Sequence, residues 1–353
     1  MEQKLVAYAC SLVPVEIISA AGLSPVRLIP KGRCADADSR IHSNTCCYVR
    51  SLLSDLMGGA CSDLEGMVFA NSCDAMRKLF DIWGDLKDSP PAFFMDIPKK
   101  NDPDSIRYFT SVLKKLAAGL EETYSRPTVT PERLNAAIRE TNRLRSSLGD
   151  IFGMQSSPDS AIKGSDVFPL LLAQGEAEIA DHEAGIRQRA SGQKGNLLGN
   201  GGSRIIITGT ITANRELVDM IEEKGAHVAA FDICFGPRHY GTPVRENTPD
   251  PFAAVAERYL LRPPCPRMMG MKDQIDHLKS LVVESRAQGV IVSAMKYCDQ
   301  LLYSLPLLRE GVRELGVPVL MLENDYEWSD IEKARIKIEA FLETIDPKGG
   351  SHA

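Results

Sequence analysis

Short apolar runs of strand type recur along this 353-residue chain, and most are followed by a stretch with helical spacing. The first group is residues 4–9 (KLVAYA), 25–29 (PVRLI), 66–70 (GMVFA) and 92–95 (AFFM). The second is 204–208 (RIIIT), 227–231 (HVAAF), 289–293 (GVIVS) and 317–322 (VPVLML). Runs of this kind alternating with helix patterns describe parallel sheets covered by helices on their faces. The helices carry their own punctuation. Pro14 opens one that Gly22 stops, Gly58 and Gly59 end residues 48–57, Gly225 ends 216–224, and Gly316 ends 301–315.

Between the two groups the strand signals disappear. Residues 104–125, 131–148 and 165–190 have helical periodicity, and the glycine-rich run 191–203 (SGQKGNLLGNGGS) reads as a linker. The expected organisation is an N-terminal α/β domain over 1–102, a helical segment and linker over 103–200, and a C-terminal α/β domain over 201–347. Residues 33–44 are polar and read as loop. A net charge of −6 and a pI near 5.7 argue against a nucleic-acid or anionic-membrane surface. No apolar run reaches the roughly 20 residues of a membrane helix, and the N-terminal apolar stretch is too short for a signal peptide, so the expected compartment is the cytoplasm.

Nine cysteines need an explanation in a chain that is too long, and without an export signal, for a secreted disulfide scaffold. Residues 44–83 hold four of them, and Cys73 falls where a strand hands over to a helix. Cys10, Cys73, Cys234 and Cys298 each lie within a few residues of the carboxyl end of an expected strand. In parallel α/β sheets that edge holds ligands and cofactors. If the two sheets face each other across a cleft, these thiols approach it from both sides. Cys47 opens a helix, where the dipole favours a thiolate. No CxxC pair is present, so local structural zinc is disfavoured, and no histidine spacing suggests a metal site. Three readings stay open on these grounds: an iron–sulfur cluster, cysteines packed in the core, or a catalytic thiol.

Other signals are weaker. TGTITAN (208–214) follows a strand and opens a helix, so its amides are candidates for holding a phosphate, although it lacks the lysine and glycines of a phosphate loop. Arg238 reads either as an anion contact or as an exposed structural arginine. Glu16, Asp74 and Glu323 stand near strand ends and read either as candidate proton-transfer groups or as caps or surface charges.

The motifs YACSLVPVEIISAAGLSPVRL, CCYVRS, NSCDAMRKL, FDICFGPRHYG, RYLLRPPCP, MKYCDQ, VPVLMLENDY and ARIKIEAFLE keep an order and spacing that resembles the 2-hydroxyacyl-CoA dehydratase D-component family, which includes benzoyl-CoA reductase subunits. The resemblance runs from about residue 4 to residue 345. It implies two Rossmann-like or flavodoxin-like domains facing a cleft, with a helical segment between them. It also implies a 4Fe–4S cluster on Cys47, Cys73 and Cys298, with one iron left open. In such systems a separate ATP-hydrolysing iron–sulfur activator injects a low-potential electron. The electron passes to the thioester carbonyl of an acyl-CoA substrate, and the resulting ketyl expels a hydroxyl. A homologous second subunit or a homodimer is implied as well.

One branch of the family carries a double-cubane 8Fe–9S cluster on six cysteines and resembles ATP-driven reductases of small molecules. Cys10, Cys61 and Cys234 would join the other three for that role, while Cys34, Cys46 and Cys265 read as packing or loop residues. The remaining alternatives are a scaffold subunit that has lost its cluster and a nucleotide-binding Rossmann enzyme with core cysteines, which would bind NAD or FAD. Residues 33–44 are shorter than in many relatives, and no general base for the dehydration stands out.

Overall fold

The computed structural model describes residues 4–31, 33–59, 62–86, 89–160, 162–173, 176–192 and 202–345. From the N-terminus the elements run β1 (Leu5–Tyr8), α1 (Val15–Ala20), β2 (Ser24–Arg27), α2 (Cys47–Met57), β3 (Gly66–Ala70), α3 (Asp74–Asp85) and β4 (Ala92–Met95). Four helices follow: α4 (Pro103–Tyr124), α5 (Pro131–Ser156), α6 (Gly164–Leu172) and α7 (Glu176–Gly192). The second series begins β5 (Arg204–Gly209), α8 (Glu216–Glu223), β6 (His227–Asp232), α9 (Pro237–Tyr240), α10 (Pro251–Leu261) and α11 (Met271–Ser285). It closes with β7 (Gly289–Met295), α12 (Asp299–Leu302), α13 (Leu305–Arg313), β8 (Val319–Asn324) and α14 (Ile331–Ile345).

The strands form two four-stranded sheets, ordered β2-β1-β3-β4 and β6-β5-β7-β8, and every pairing is parallel. Both orders are flavodoxin-like. The chain reverses its direction of growth between β1 and β3 in the first sheet and between β5 and β7 in the second, and ligands of such sheets bind at that switch point. β3, β5, β6 and β7 are buried at every residue, as strands covered on both faces must be.

By contact the chain divides into two compact units. One comprises Met1–Ser147, His239–Pro263 and Arg267–Met269, and the other Leu148–Arg238, Pro264–Pro266 and Gly270–Ala353. In the first, Val6, Val68 and Ala70 of the sheet join Phe109, Leu113, Leu134, Val255 and Tyr259 of the helices in one buried cluster. In the second, Ile206, Val290 and Val292 pack with Leu278, Val282, Leu308 and Val312. No helix among the described residues is long and apolar enough to cross a membrane.

The elements differ from the sequence reading in several places. Residues 301–315, read as one helix, are α12 and α13, parted at Tyr303 and Ser304. Residues 165–190 are not one helix but α6 and α7, parted after Leu172. α10 is unforeseen, although its signals are present: the Asp250 carboxylate accepts from the Ala253 amide at 3.1 Å, and Pro251 takes the first turn. The polar segment 33–44 contains a 3-10 turn, Cys34–Ala37, with Cys34 and Ala37 buried. Residues 193–201 of the glycine-rich run, and Cys61, lie outside the described residues.

Candidate functional site

Each sheet presents cysteines at its carboxyl edge. In the first unit α2 begins there because Tyr48 anchors it. Its hydroxyl donates to the carbonyls of Ala9 at 3.2 Å and Leu28 at 3.3 Å, the residues directly after β1 and β2. Arg50 donates to the Ser43 carbonyl at 3.2 Å and pairs with Asp38, while the Cys34 thiol donates to the Cys47 carbonyl at 3.2 Å. These bonds wind residues 34–43 against the start of α2. Cys34 thus supports the backbone of Cys47, which is itself buried.

Cys73 immediately precedes α3, three residues after β3. The strand end before it is held by one guanidinium. Arg267 donates to the Asn71 carbonyl through Nε at 3.0 Å and Nη2 at 2.8 Å, to the Pro98 carbonyl at 2.9 Å, and to the Ile97 carbonyl. The Asn71 side chain donates to Asp96 at 2.7 Å and Tyr108 donates to the same carboxylate at 2.7 Å, and these bonds hold Asp96 below the usual carboxylate range. Arg267 carries no signal in the sequence beyond its place in the run RPPCPR. Cys10 lies two residues after β1, beside Ser11, whose carbonyl and hydroxyl accept from Arg262 at 2.8 and 2.9 Å.

Glu16 is neither a cap nor a surface charge. It is fully buried and pairs with Arg145 at 2.6 Å, and Tyr259 donates to its other oxygen at 3.0 Å. Burial acts to raise its pKa, but the Arg145 and Arg258 guanidiniums prevail and hold it below the ordinary value. His239 is buried beside Tyr8 at 3.3 Å, and burial together with the surrounding arginines keeps it neutral. Asp74 is exposed, as expected of a helix-start acid.

In the second unit Cys234 lies two residues after β6, and Cys298 lies three residues after β7 and immediately precedes the short α12. Burial pushes the Cys298 thiol up, against hydrogen bonds from the Leu301 backbone and the Thr210 side chain. Arg238 is not an exposed residue and is not turned to an external anion. It is 5% exposed and locked to Asp232 by two bonds of 2.8 and 2.6 Å, and it also donates to the Gly209 carbonyl at 2.6 Å. Thr208 donates to Asp232 at 2.7 Å, and His277 Nε2 lies 3.3 Å from the other oxygen. Burial would raise the Asp232 pKa, yet Arg238 and His277 outweigh it and hold the carboxyl well below its usual range.

The start of α8 is unsuited to phosphate. Asn214 accepts the Glu216 amide at 2.7 Å, and Glu216 and Asp219 bring negative charge to the first turn.

The structure therefore puts Cys47 and Cys73 at the same edge of one sheet. Cys298 is at the matching edge of the other, after the third strand of its sheet as Cys73 is of its own. The donor set suits an iron–sulfur cluster in chemistry, since it offers three thiols, two of them (Cys47 and Cys73) at the starts of longer helices, where a thiolate is favoured. Among the described residues, no group of three or more His, Cys, Asp or Glu side chains is arranged to hold a metal ion.

Comparison with known proteins covers nearly the whole chain. The family described as 2-hydroxyglutaryl-CoA dehydratase, D-component, matches residues 10–345. The beta subunit of (R)-phenyllactyl-CoA dehydratase from Clostridium sporogenes is 23% identical, with 97% of this chain and 92% of that protein covered. A benzoyl-CoA reductase subunit from Thauera aromatica is 25% identical, with 97% and 91% covered. The beta subunit of (R)-2-hydroxyglutaryl-CoA dehydratase from Acidaminococcus fermentans is 22% identical, with 94% and 90% covered.

Proposed function

Because the chain belongs to the 2-hydroxyglutaryl-CoA dehydratase D-component family, we propose that it is the iron–sulfur subunit of an ATP-activated low-potential electron-transfer system. The favoured reaction is removal of water from a 2-hydroxyacyl-CoA. The ligands in this reading are Cys47, Cys73 and Cys298, and the partners are an ATP-hydrolysing activator and a homologous second subunit or second copy. The names of the relatives support the reaction class, since they are subunits of dehydratases and a reductase of CoA esters. The cluster supplies one-electron chemistry at low potential when bound.

The observation that carries the assignment of ligands is placement: all three cysteines begin a helix at the carboxyl edge of a parallel sheet. The chain's own contribution is to hold those thiols still. Tyr48, Arg50 and Cys34 fix the turn of Cys47, and Arg267 fixes the strand end that leads to Cys73.

Iron and acid-labile sulfide per chain, in protein purified without oxygen, test the reading. About four of each is expected for one cubane. Cys73→Ser is expected to abolish iron binding and the brown chromophore while the far-ultraviolet circular dichroism stays unchanged. Absence of iron after reconstitution would leave a scaffold subunit. About eight irons would bring in Cys10, Cys61 and Cys234 and shift the reading to a reductase of small molecules. A panel of 2-hydroxyacyl-CoA esters, assayed with the activator and ATP, identifies the acyl group.

A further inference from the structure

A cavity of about 220 Å³ opens in the second unit at the carboxyl edge of β7 and β8, closed on its far side by the start of α14. Its charged wall is unusual in what is left unpaired. Three other charges on α14 have partners: Arg335 lies 3.5 Å from Glu223 and 3.7 Å from Glu332, and Glu339 lies 2.9 Å from Lys224. Lys333 and Lys337 face the cavity one helical turn apart, and neither has a carboxylate in ion-pairing distance among the described residues. Two ammonium groups at i and i+4 repel each other weakly, and an anion bound between them would turn that repulsion into attraction.

The rest of the wall defines what kind of anion fits. Lys296 and Asp325 lie 3.5 Å apart and offset each other, and Asp325 also accepts the Ser329 amide at 2.9 Å. Asp330 precedes α14, where the helix dipole favours its charge. Glu323 at the end of β8 adds a second carboxylate, and carboxylates accept hydrogen bonds from hydroxyl groups. Trp328 supplies an apolar wall and holds a left-handed backbone, φ 54°, which bulky side chains rarely adopt and which clusters at ligand sites. The volume falls short of the ~300 Å³ at which pockets begin to enclose a whole drug-sized ligand, so the cavity takes one end of a ligand.

We propose that this cavity binds a ribose phosphate, with Lys333 and Lys337 on the phosphate and Glu323 or Asp330 on a free sugar hydroxyl. A CoA ester carries such a group in its 3′-phosphorylated ribose, and a free nucleotide carries another. Only the identification with CoA rests on the function proposed above; the phosphate site does not.

Calorimetric titration of the full chain with CoA, dephospho-CoA and AMP tests the proposal. CoA is expected to bind at least about tenfold more tightly than dephospho-CoA, with an affinity that falls as salt is raised. The Lys333→Ala/Lys337→Ala variant, altered only at exposed positions, is expected to bind CoA no better than dephospho-CoA. Lysine-dependent binding of AMP in place of CoA would support the site with a free nucleotide as its source. The proposal is overturned if none of the three binds, or if the double substitution leaves affinity unchanged. Iron content is measured separately, so loss of the cluster assignment and loss of this site are told apart.

Discussion

Glu16 is the residue whose environment departs furthest from its sequence context. It follows a strand end in the run VPVEII and looks like a helix-start acid, yet it balances Arg145 and Arg258 in a fully buried network. Removing one partner of a buried pair strands the other charge. Glu16→Gln is expected to cost about 3–5 kcal/mol in urea unfolding, and Glu16→Gln/Arg145→Met to recover much of that loss. If the double variant is no more stable than the single one, the pair is not acting as a unit. His227 offers a pH test. Burial, reinforced by Arg204, pushes its pKa from 6.5 down to about 4, outweighing the contact with the Gln155 carbonyl at 3.4 Å. A base with a depressed folded pKa contributes its stability fully above the unfolded value and loses it as the pH falls toward the folded one. Stability should therefore decline between pH 6.5 and about 4, by roughly 3 kcal/mol in all. His227→Gln should flatten that part of the profile.

At the scale of elements, the second sheet depends on a close approach at its switch point. Gly209 ends β5 at φ 150°, and a Cβ placed there would lie 2.2 Å from the Ser293 carbonyl oxygen of β7. Nearby, Thr212 donates to the Ser293 hydroxyl at 2.8 Å, which lies 3.3 Å from Asn324 of β8, so three strand ends are tied together. Gly209→Ala must either part the two strands or break that chain. It is expected to destabilise by more than about 1 kcal/mol, read as a fall in melting temperature. The element order is largely legible in the sequence. All eight strands overlap the short apolar runs that predict them, and the runs are clearest for β3, β5, β6 and β7, because a strand buried on both faces needs an unbroken run. α10 escapes such a reading because its Asp-Pro start lies among other proline-rich turns, and what defines the helix is its packing against α4, with Phe252, Val255 and Tyr259 in the buried cluster.

For the whole molecule, the two units repeat one plan with different furniture at the edge. Both sheets have the same strand order, and the third strand of each leads to a cysteine that starts a helix. Around that shared plan, the first unit surrounds its strand ends with arginines, and the second locks Asp232 to Arg238. The family match over residues 10–345 follows the same span as the motifs that carry the resemblance.

By itself the sequence determined the sheets, the strand ends and the cysteines that stand at them, because apolar periodicity and turn residues act over short distances along the chain. It did not determine the partners of the charged motif residues. Glu16 meets Tyr259 and Arg267 meets Asn71 across intervals of 243 and 196 residues. Nor did it show that Lys333 and Lys337 border a cavity. Coulombic pairing and burial depend on distance in space, so only the folded chain decides which charges are neutralised and which are left for a ligand.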